Sequence, residues 1–388
     1  MSTEPDRAIP SPLRFIVLEY LCGSGLFSAK DPLDPLAGLI EEGAAMLFAL
    51  AKDIAANGHS VSVLIEPSIE GMLRDRGWNM EGIEPVRLPP GERIDFGADQ
   101  VSKIWIEAAR RCDGAVVIAP EFGNTLARLI GTLRASDITV FGPDQLFLEC
   151  ASDKYRCNQR WLESGCRASP TWLGREWLKR SRSVPDSLAA ALRSAKVDTL
   201  QDGWVIKRRW GAGGTDMHRF QCGQELARWI EESQPEGEQD DWIVQPWIRG
   251  TAASLAMVGD FVLGTMQQEF AMPSKQPVDI GCVASGVGEY IGGRGPLDCD
   301  RERLVKFAKD CVSPIPGSAG GWVGIDFLIL ENGDWLALEI NARLTSSYHG
   351  YRQWYGSAMA RAILGGSLEP VLPPAPNSIR FRVGDFMG

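Results

Sequence analysis

What this chain lacks narrows its chemistry. Three histidines stand among 388 residues, and nine cysteines are scattered with no C-x-x-C pair. These spacings do not suit a compact zinc knuckle. The odd, dispersed count reads as reduced thiols of a cytoplasmic protein rather than a disulfide framework. No histidine is placed by the sequence to activate a thiol nucleophile. Excess positive charge is absent as well: 40 Lys and Arg face 50 Asp and Glu, a net charge of −10. That balance argues against a general binder of nucleic acid or anionic membrane, and leaves room for a local basic pocket. Apolar runs are short and interrupted, as in "FIVLEYLCGSG", so no membrane span is expected. The opening "MSTEPDRAIPSPLR" carries acids and prolines before a four-residue apolar run, unlike a secretory signal. No G-x-x-x-x-G-K-[ST] loop occurs, and "LCGSGLFS" lacks the third glycine and helix start of a dinucleotide fingerprint. A nicotinamide-type oxidoreductase is therefore disfavoured.

What is present looks globular. Hydrophobic residues make up 44% and charged residues 23% of the chain, and this length exceeds what one core usually serves, so two or three subdomains are expected. Strand and helix signals alternate over the first third. "RFIVLEY" (14–20), "HSVSVLIE" (59–66), "GAVVIAPE" (114–121) and "ITVFG" (138–142) read as strands. Helices are expected over 38–58, 99–111 and 124–135. Such alternation builds an open parallel sheet, whose strand ends here carry Glu19, Glu66 and Glu121, where ligands or mere helix caps sit. A helical stretch follows from 144, and 176–202 reads as a surface helix. From 204 onward strands dominate. Residues 273–298 read as a long loop. A helix (301–312), two strands (322–330 and 335–341) and a last helical segment (353–365) complete the pattern.

Four stretches carry chemistry together. "WVIKRRWGAGGTD" places Lys207 at a strand end before Gly211, Gly213 and Gly214, whose backbone can approach phosphate oxygens. Alone, this is an ordinary glycine turn. "ASDKYRCNQRWLESG" puts Lys154 near a helix start, within reach of an anion. "WIVQPWIRG" is an apolar strand ending in a polar break. Its backbone from Gln245 can face a purine edge while Trp247 and Ile248 pack on the base. Finally, "GIDFLILENGDWLALEINARL" joins two strands through an Asn332-Gly333 turn. Simple alternation sets Ala337, Glu339 and Asn341 on one face and Leu336, Leu338 and Ile340 on the other. The hairpin register can then bring Asp326 beside Glu339 and Asn341. Two carboxylates and an amide are hard ligands that suit Mg²⁺, with Arg343 just beyond to meet an oxyanion.

Lysine, lysine with glycine loop, apolar hinge, then Asp with Glu-x-Asn-x-Arg: this succession resembles the ATP-grasp superfamily over roughly 14–365. The resemblance implies an α/β and α+β chain in which an N-terminal open parallel, Rossmann-like domain (1–145) precedes two ATP-gripping subdomains (146–250 and 251–388). It implies that Lys154, Lys207, Gly211, Gly213, Gly214, Gln245, Trp247 and Ile248 bind ATP. Asp326, Glu339 and Asn341 are then the Mg²⁺ (or Mn²⁺) ligands, with Arg343 and Lys207 catalytic. Two departures stand out: Gln245 replaces the usual hinge Glu, and Thr251 replaces the acid that commonly reads the ribose. "FIVLEYLCGSG", "EEGAAML", "GHSVSVLIE", "IAPE", "ASDKY" and "EINARLTSSYHG" together look like the tyramine–L-glutamate ligases of methanofuran biosynthesis. That likeness implies ATP-dependent joining of the glutamate γ-carboxyl to the tyramine amine. Tyr348, Tyr351, Trp354 and Tyr355 would then stack on the acceptor ring. Another carboxylate–amine or amino-acid ligase of the superfamily is the nearest alternative, and a nucleotide-binding protein without turnover the next. A homodimer stays open.

Overall fold

The computed structural model describes residues 12–24, 37–88, 100–181, 201–211, 217–271, 283–285, 289–366 and 378–383. Five strands form the first unit: β1 (Arg14–Glu19), β2 (Ser60–Ile65), β3 (Ile83–Arg87), β4 (Gly114–Ile118) and β5 (Val140–Phe141). They lie in the order β3-β2-β1-β4-β5, and every pairing is parallel. The strands are continuous apolar runs because helices cover both faces. On one face Phe15 and Val17 pack with α1 (Ala37–Ala56). On the other, Ile16 and Leu18 join a cluster with Trp105 and Leu126. Glu66, one of the strand-end acids, is a helix cap: its carboxylate accepts the N–H groups of Ser68 and Ile69 at 2.9 and 3.2 Å.

Two antiparallel sheets follow. The smaller comprises β6 (Trp172–Leu173), β7 (Gln201–Arg208), β8 (His218–Phe220), β9 (Trp242–Ile248) and β12 (Val283–Ser285), in the order β12-β8-β7-β9-β6. It has its own apolar core, in which Trp172, Trp177, Trp204 and Trp242 pack with Leu226 and Ile230. These last two come from a helix, Gly223–Ser233, that the strand-dominated reading of this region overlooked. The larger sheet holds β10 (Thr251–Val258), β11 (Phe261–Ala271), β13 (Glu289–Gly295), β14 (Trp322–Ile329), β15 (Trp335–Asn341) and β16 (Ile379–Arg382), in the order β15-β14-β10-β11-β13-β16. Its faces share apolar clusters with the parallel unit, so Leu255, Ile325 and Ala337 sit in the same core as Ile16 and Leu18. Phe147, Leu148 and Trp161, from the helices Gln145–Ala151 and Lys154–Ser164, pack into that core too.

Three expectations change. The segment expected as a loop over 273–298 contains two strands, Val283–Ser285 paired with β8 and Glu289–Gly295 paired on both sides. Gly292 has φ +144, and a Cβ there would run into the Phe381 carbonyl, so the glycines serve close strand approach rather than a loop. The last helical segment is two helices, Tyr348–Tyr355 and Ala358–Ile363. Of the surface helix expected over 176–202, Gly174–Ser181 is helical, and 182–200 lie outside the described residues. Among the described residues the cysteines are free thiols, and no helix is long and apolar enough to cross a membrane.

Candidate active site between the two antiparallel sheets

A cleft of about 630 Å³ opens between the smaller sheet and the larger one. One wall is the hinge strand β9: Gln245, Pro246, Trp247 and Ile248 all line it. Gln245 itself does not offer its side chain, because Nε2 donates to Thr171 Oγ1 at 2.8 Å in the buried interior. Trp247 carries the Arg219 guanidinium 4.6 Å from its ring centroid, and Ile248 packs with Leu330 and Leu336. Ser169 also lines the cleft, 2% exposed, and its hydroxyl has no hydrogen-bond partner among the described residues. Thr251 is exposed at the start of β10.

The floor is the β14–β15 hairpin, turned by Asn332-Gly333 with Gly333 at φ +81. Its register sets Asp326 opposite Glu339. The ladder then slips, since Phe327 pairs Ala337, and Leu338 is an extra residue with no partner of its own. This bulge corrects the simple alternation. Ala337 and Ile340 face the apolar core, whereas Leu338, Glu339 and Asn341 line the cleft. Asp326 accepts hydrogen bonds from Asn341 Nδ2 and Gln268 Nε2, both at 3.0 Å.

Both lysines converge on Glu339. Lys207 Nζ lies 3.4 Å and Lys154 Nζ 3.7 Å from the same oxygen, Oε2. Lys154 also donates to the carbonyl oxygen of Gly211, where the glycine loop begins. Gly213 and Gly214 lie outside the described residues. Burial pushes the Asp326 carboxyl up, and the neighbouring Glu339 charge adds to the shift. Burial acts on Glu339 in the same sense, but the two lysine charges outweigh it and hold that carboxyl well below its ordinary value. Burial lowers Lys207. Arg343 sits beyond, its Nε and Nη2 on the Glu121 carboxylate at 3.0 and 3.3 Å and Nη1 on the Leu344 carbonyl. Burial works against the Arg343 charge, yet Glu121, with Glu42 and Glu339 around it, raises its pKa.

Among the described residues no three His, Cys, Asp or Glu are grouped to hold a metal ion. The donor chemistry at the hairpin nevertheless suits a hard divalent cation. Two carboxylates face each other in register, one pushed up partly by the other's charge, and an amide oxygen is available by rotating the Asn341 side chain. Asp326, Glu339 and Asn341 would hold the ion, which supplies charge neutralisation for phosphate oxygens when bound.

The aromatic group expected around an acceptor ring does not line this cleft. Tyr348 and Tyr351 are fully buried, their hydroxyls donating to Asp53 and to the Gly264 carbonyl, both at 2.7 Å. Trp354 packs on Gly264, and Tyr355 lies edge-on to Phe261. Besides Trp247 on β9, the aromatic residues at the cleft are Phe270 and Tyr290, ring centroids 5.8 Å apart. Sequence reasoning missed these, along with Glu42, Ser169, Gln268 and Ser346. Glu121 was marked only as an acid after a strand.

Comparison places this geometry. A family model for the ATP-grasp domain matches residues 168–347, and one for the pre ATP-grasp domain matches 89–145. Comparison with curated proteins gives no match. Among solved structures, the fold is similar to an Archaeoglobus fulgidus protein described as belonging to the ATP-grasp superfamily. That pair shares 18% identity at a TM-score of 0.58, over 92% of this chain and 89% of that one. D-alanine–D-alanine ligase from Bacillus anthracis gives 15%, 0.54, 92% and 97%. The biotin carboxylase domain of Hydrogenobacter thermophilus 2-oxoglutarate carboxylase, in complex with MgADP, ADP and bicarbonate, gives 14%, 0.59, 92% and 71%. At these identities the structural likeness speaks to the fold alone. With the open parallel sheet and the two antiparallel sheets in agreement, the chain has the ATP-grasp fold, with an ATP-grasp domain over residues 168–347 preceded by a pre ATP-grasp domain over 89–145.

Proposed function

We propose that this chain is an ATP-dependent carboxylate–amine ligase. The observation that carries the reading is the meeting of Lys154, Lys207, Glu339, Asp326 and Arg343 on one cleft. A substrate carboxylate oxygen attacks the γ-phosphorus of ATP, giving an acyl phosphate and ADP. The amine then attacks the acyl carbon, phosphate leaves, and the nitrogen gives up a proton. Lys154 and Lys207 offset charge on the phosphates. Arg343 keeps N–H groups beyond those held by Glu121, and these stabilise the oxyanion formed on amine attack. The nucleotide base lies along the Gln245–Ile248 backbone, with Ser169 supplying a hydroxyl to its edge.

The finer reading is L-glutamate, through its γ-carboxyl, joined to tyramine. It rests on the likeness carried by "EINARLTSSYHG", and Phe270 with Tyr290 offer the aromatic wall that such an acceptor needs. The test is ADP release with Mg·ATP, L-glutamate and a panel of amines, with mass spectrometry of the product. The expected product is the γ-glutamyl amide of tyramine, made in preference to that of phenethylamine. Turnover that demands an amino acid or peptide as amine would reject the substrate pair and keep the ligase. ADP release that depends on neither an acid nor an amine would reject the ligase.

A smaller effect is expected at the base. Ser169→Ala should raise the KM for ATP roughly tenfold, the equivalent of a lost hydrogen bond of about 1–1.5 kcal/mol. Steady-state kinetics at saturating acid and amine check this, and an unchanged KM would leave Ser169 outside the nucleotide site.

A further inference from the structure

Gln268 and Asp326 stand on different strands with β10 between them, since Gln267 pairs Ala253 on one side and Asp326 pairs Ser254 on the other. Neighbouring strands lie about 4.8 Å apart, so the β11 and β14 backbones are separated by roughly 10 Å. The Gln268 side chain bridges that gap, its Nε2 donating to Asp326 Oδ1 at 3.0 Å. It can do so because the β10 residues that line the cleft beside it, Ala252 and Ser254, are small. A long side chain at either place would stand in the path of the amide.

Asn341 Nδ2 holds the other oxygen of the same carboxylate, Oδ2, also at 3.0 Å. To give its amide oxygen to a cation, Asn341 must turn, and that bond is lost. Gln268 is then the hydrogen-bond donor that stays on Asp326 among the described residues. Its neutrality matters as well. A lysine or arginine in its place would cancel the charge that attracts a divalent ion, whereas an amide fixes the carboxylate and leaves that charge in place. Groups that orient a ligating carboxylate alter metal affinity without touching the ion. We propose that Gln268 is a positioning residue, holding Asp326 through Oδ1 so that the carboxylate is set to receive a divalent cation together with Glu339 and Asn341. The inference rests on the ligase reading for its cation and adds the residue, on β11, that orients one of the ligands.

The test is a titration of Mn²⁺, followed by electron paramagnetic resonance, into protein saturated with a non-hydrolysable ATP analogue, with the analogue alone as blank. Gln268→Met keeps the length and removes the donor, and should weaken Mn²⁺ binding about tenfold. Gln268→Asn keeps an amide on an arm one carbon short of the crossing, and falls between wild type and Gln268→Met. ADP binding in the absence of metal stays as in wild type for both variants, which tells a lost positioning contact from a damaged cleft. Wild-type Mn²⁺ affinity in Gln268→Met, or a Gln268→Asn variant weaker than Gln268→Met, overturns the proposal. So does a parallel fall in metal-free ADP affinity, which would make Gln268 a structural residue, and so does wild-type protein that takes up no Mn²⁺ beyond the blank. The titration needs neither acid nor amine. ADP release that depends on neither would therefore reject the ligase reading alone and leave the metal result standing.

Discussion

Glu339→Gln should lower ADP release on the order of 10²- to 10³-fold and leave the protein folded. Glu339 Oε2 is the point on which Lys207 and Lys154 meet, at 3.4 and 3.7 Å, and the glutamate stands in register with Asp326. The amide keeps the shape and removes the charge. Two lysine ammoniums then face each other without the carboxylate between them, and the hard-oxygen set loses one of its two anions. Thermal unfolding should move little, because the side chain points into the cleft rather than into the core. Turnover at the wild-type rate would mean that Glu339 serves the lysines alone and takes no part in phosphoryl transfer.

Lys207→Met is expected to divide activity from stability. Burial lowers the Lys207 pKa, so holding its charge at the cleft is costly to the fold, and methionine fills a similar volume without that charge. Glu339 is not orphaned by the change, since Lys154 remains beside it. The melting temperature should hold or rise, while ATP turnover falls roughly 10²-fold as the phosphates lose a paired cation. Equal activity in variant and wild type would make Lys207 a structural charge. A drop in both activity and melting temperature would show that the lysine holds the two antiparallel sheets together.

The legible parts of this structure share a physical basis: signals confined to a few neighbouring residues. The helix Arg301–Val312 is legible with its boundaries from its own apolar periodicity, and the structure adds the cap, Asp300 accepting the N–H groups of Glu302 and Arg303. The β14–β15 hairpin was read from Asn332-Gly333, and with it the approach of Asp326 to Glu339. What escaped depends on partners far away in the chain. Tyr348 and Tyr351 follow the Glu-x-Asn-x-Arg run closely enough to suggest a pocket. Their hydroxyls are nonetheless consumed by Asp53 and Gly264, 295 and 87 residues away. Glu121 gained a meaning only when Arg343, 222 residues later, closed on it. The strand Glu289–Gly295 hid behind its glycines, which local propensity assigns to loops and which here admit the neighbouring backbone.

The unpaired residue at position 338 has a further implication. Because Leu338 has no partner across β14, the register that holds Asp326 opposite Glu339 does not depend on what side chain it carries. Its neighbours on either side are anchored, Ala337 in the core and Glu339 against the lysines. Leu338 therefore offers the chain a place to vary the shape of the cleft without disturbing the facing of Asp326 and Glu339.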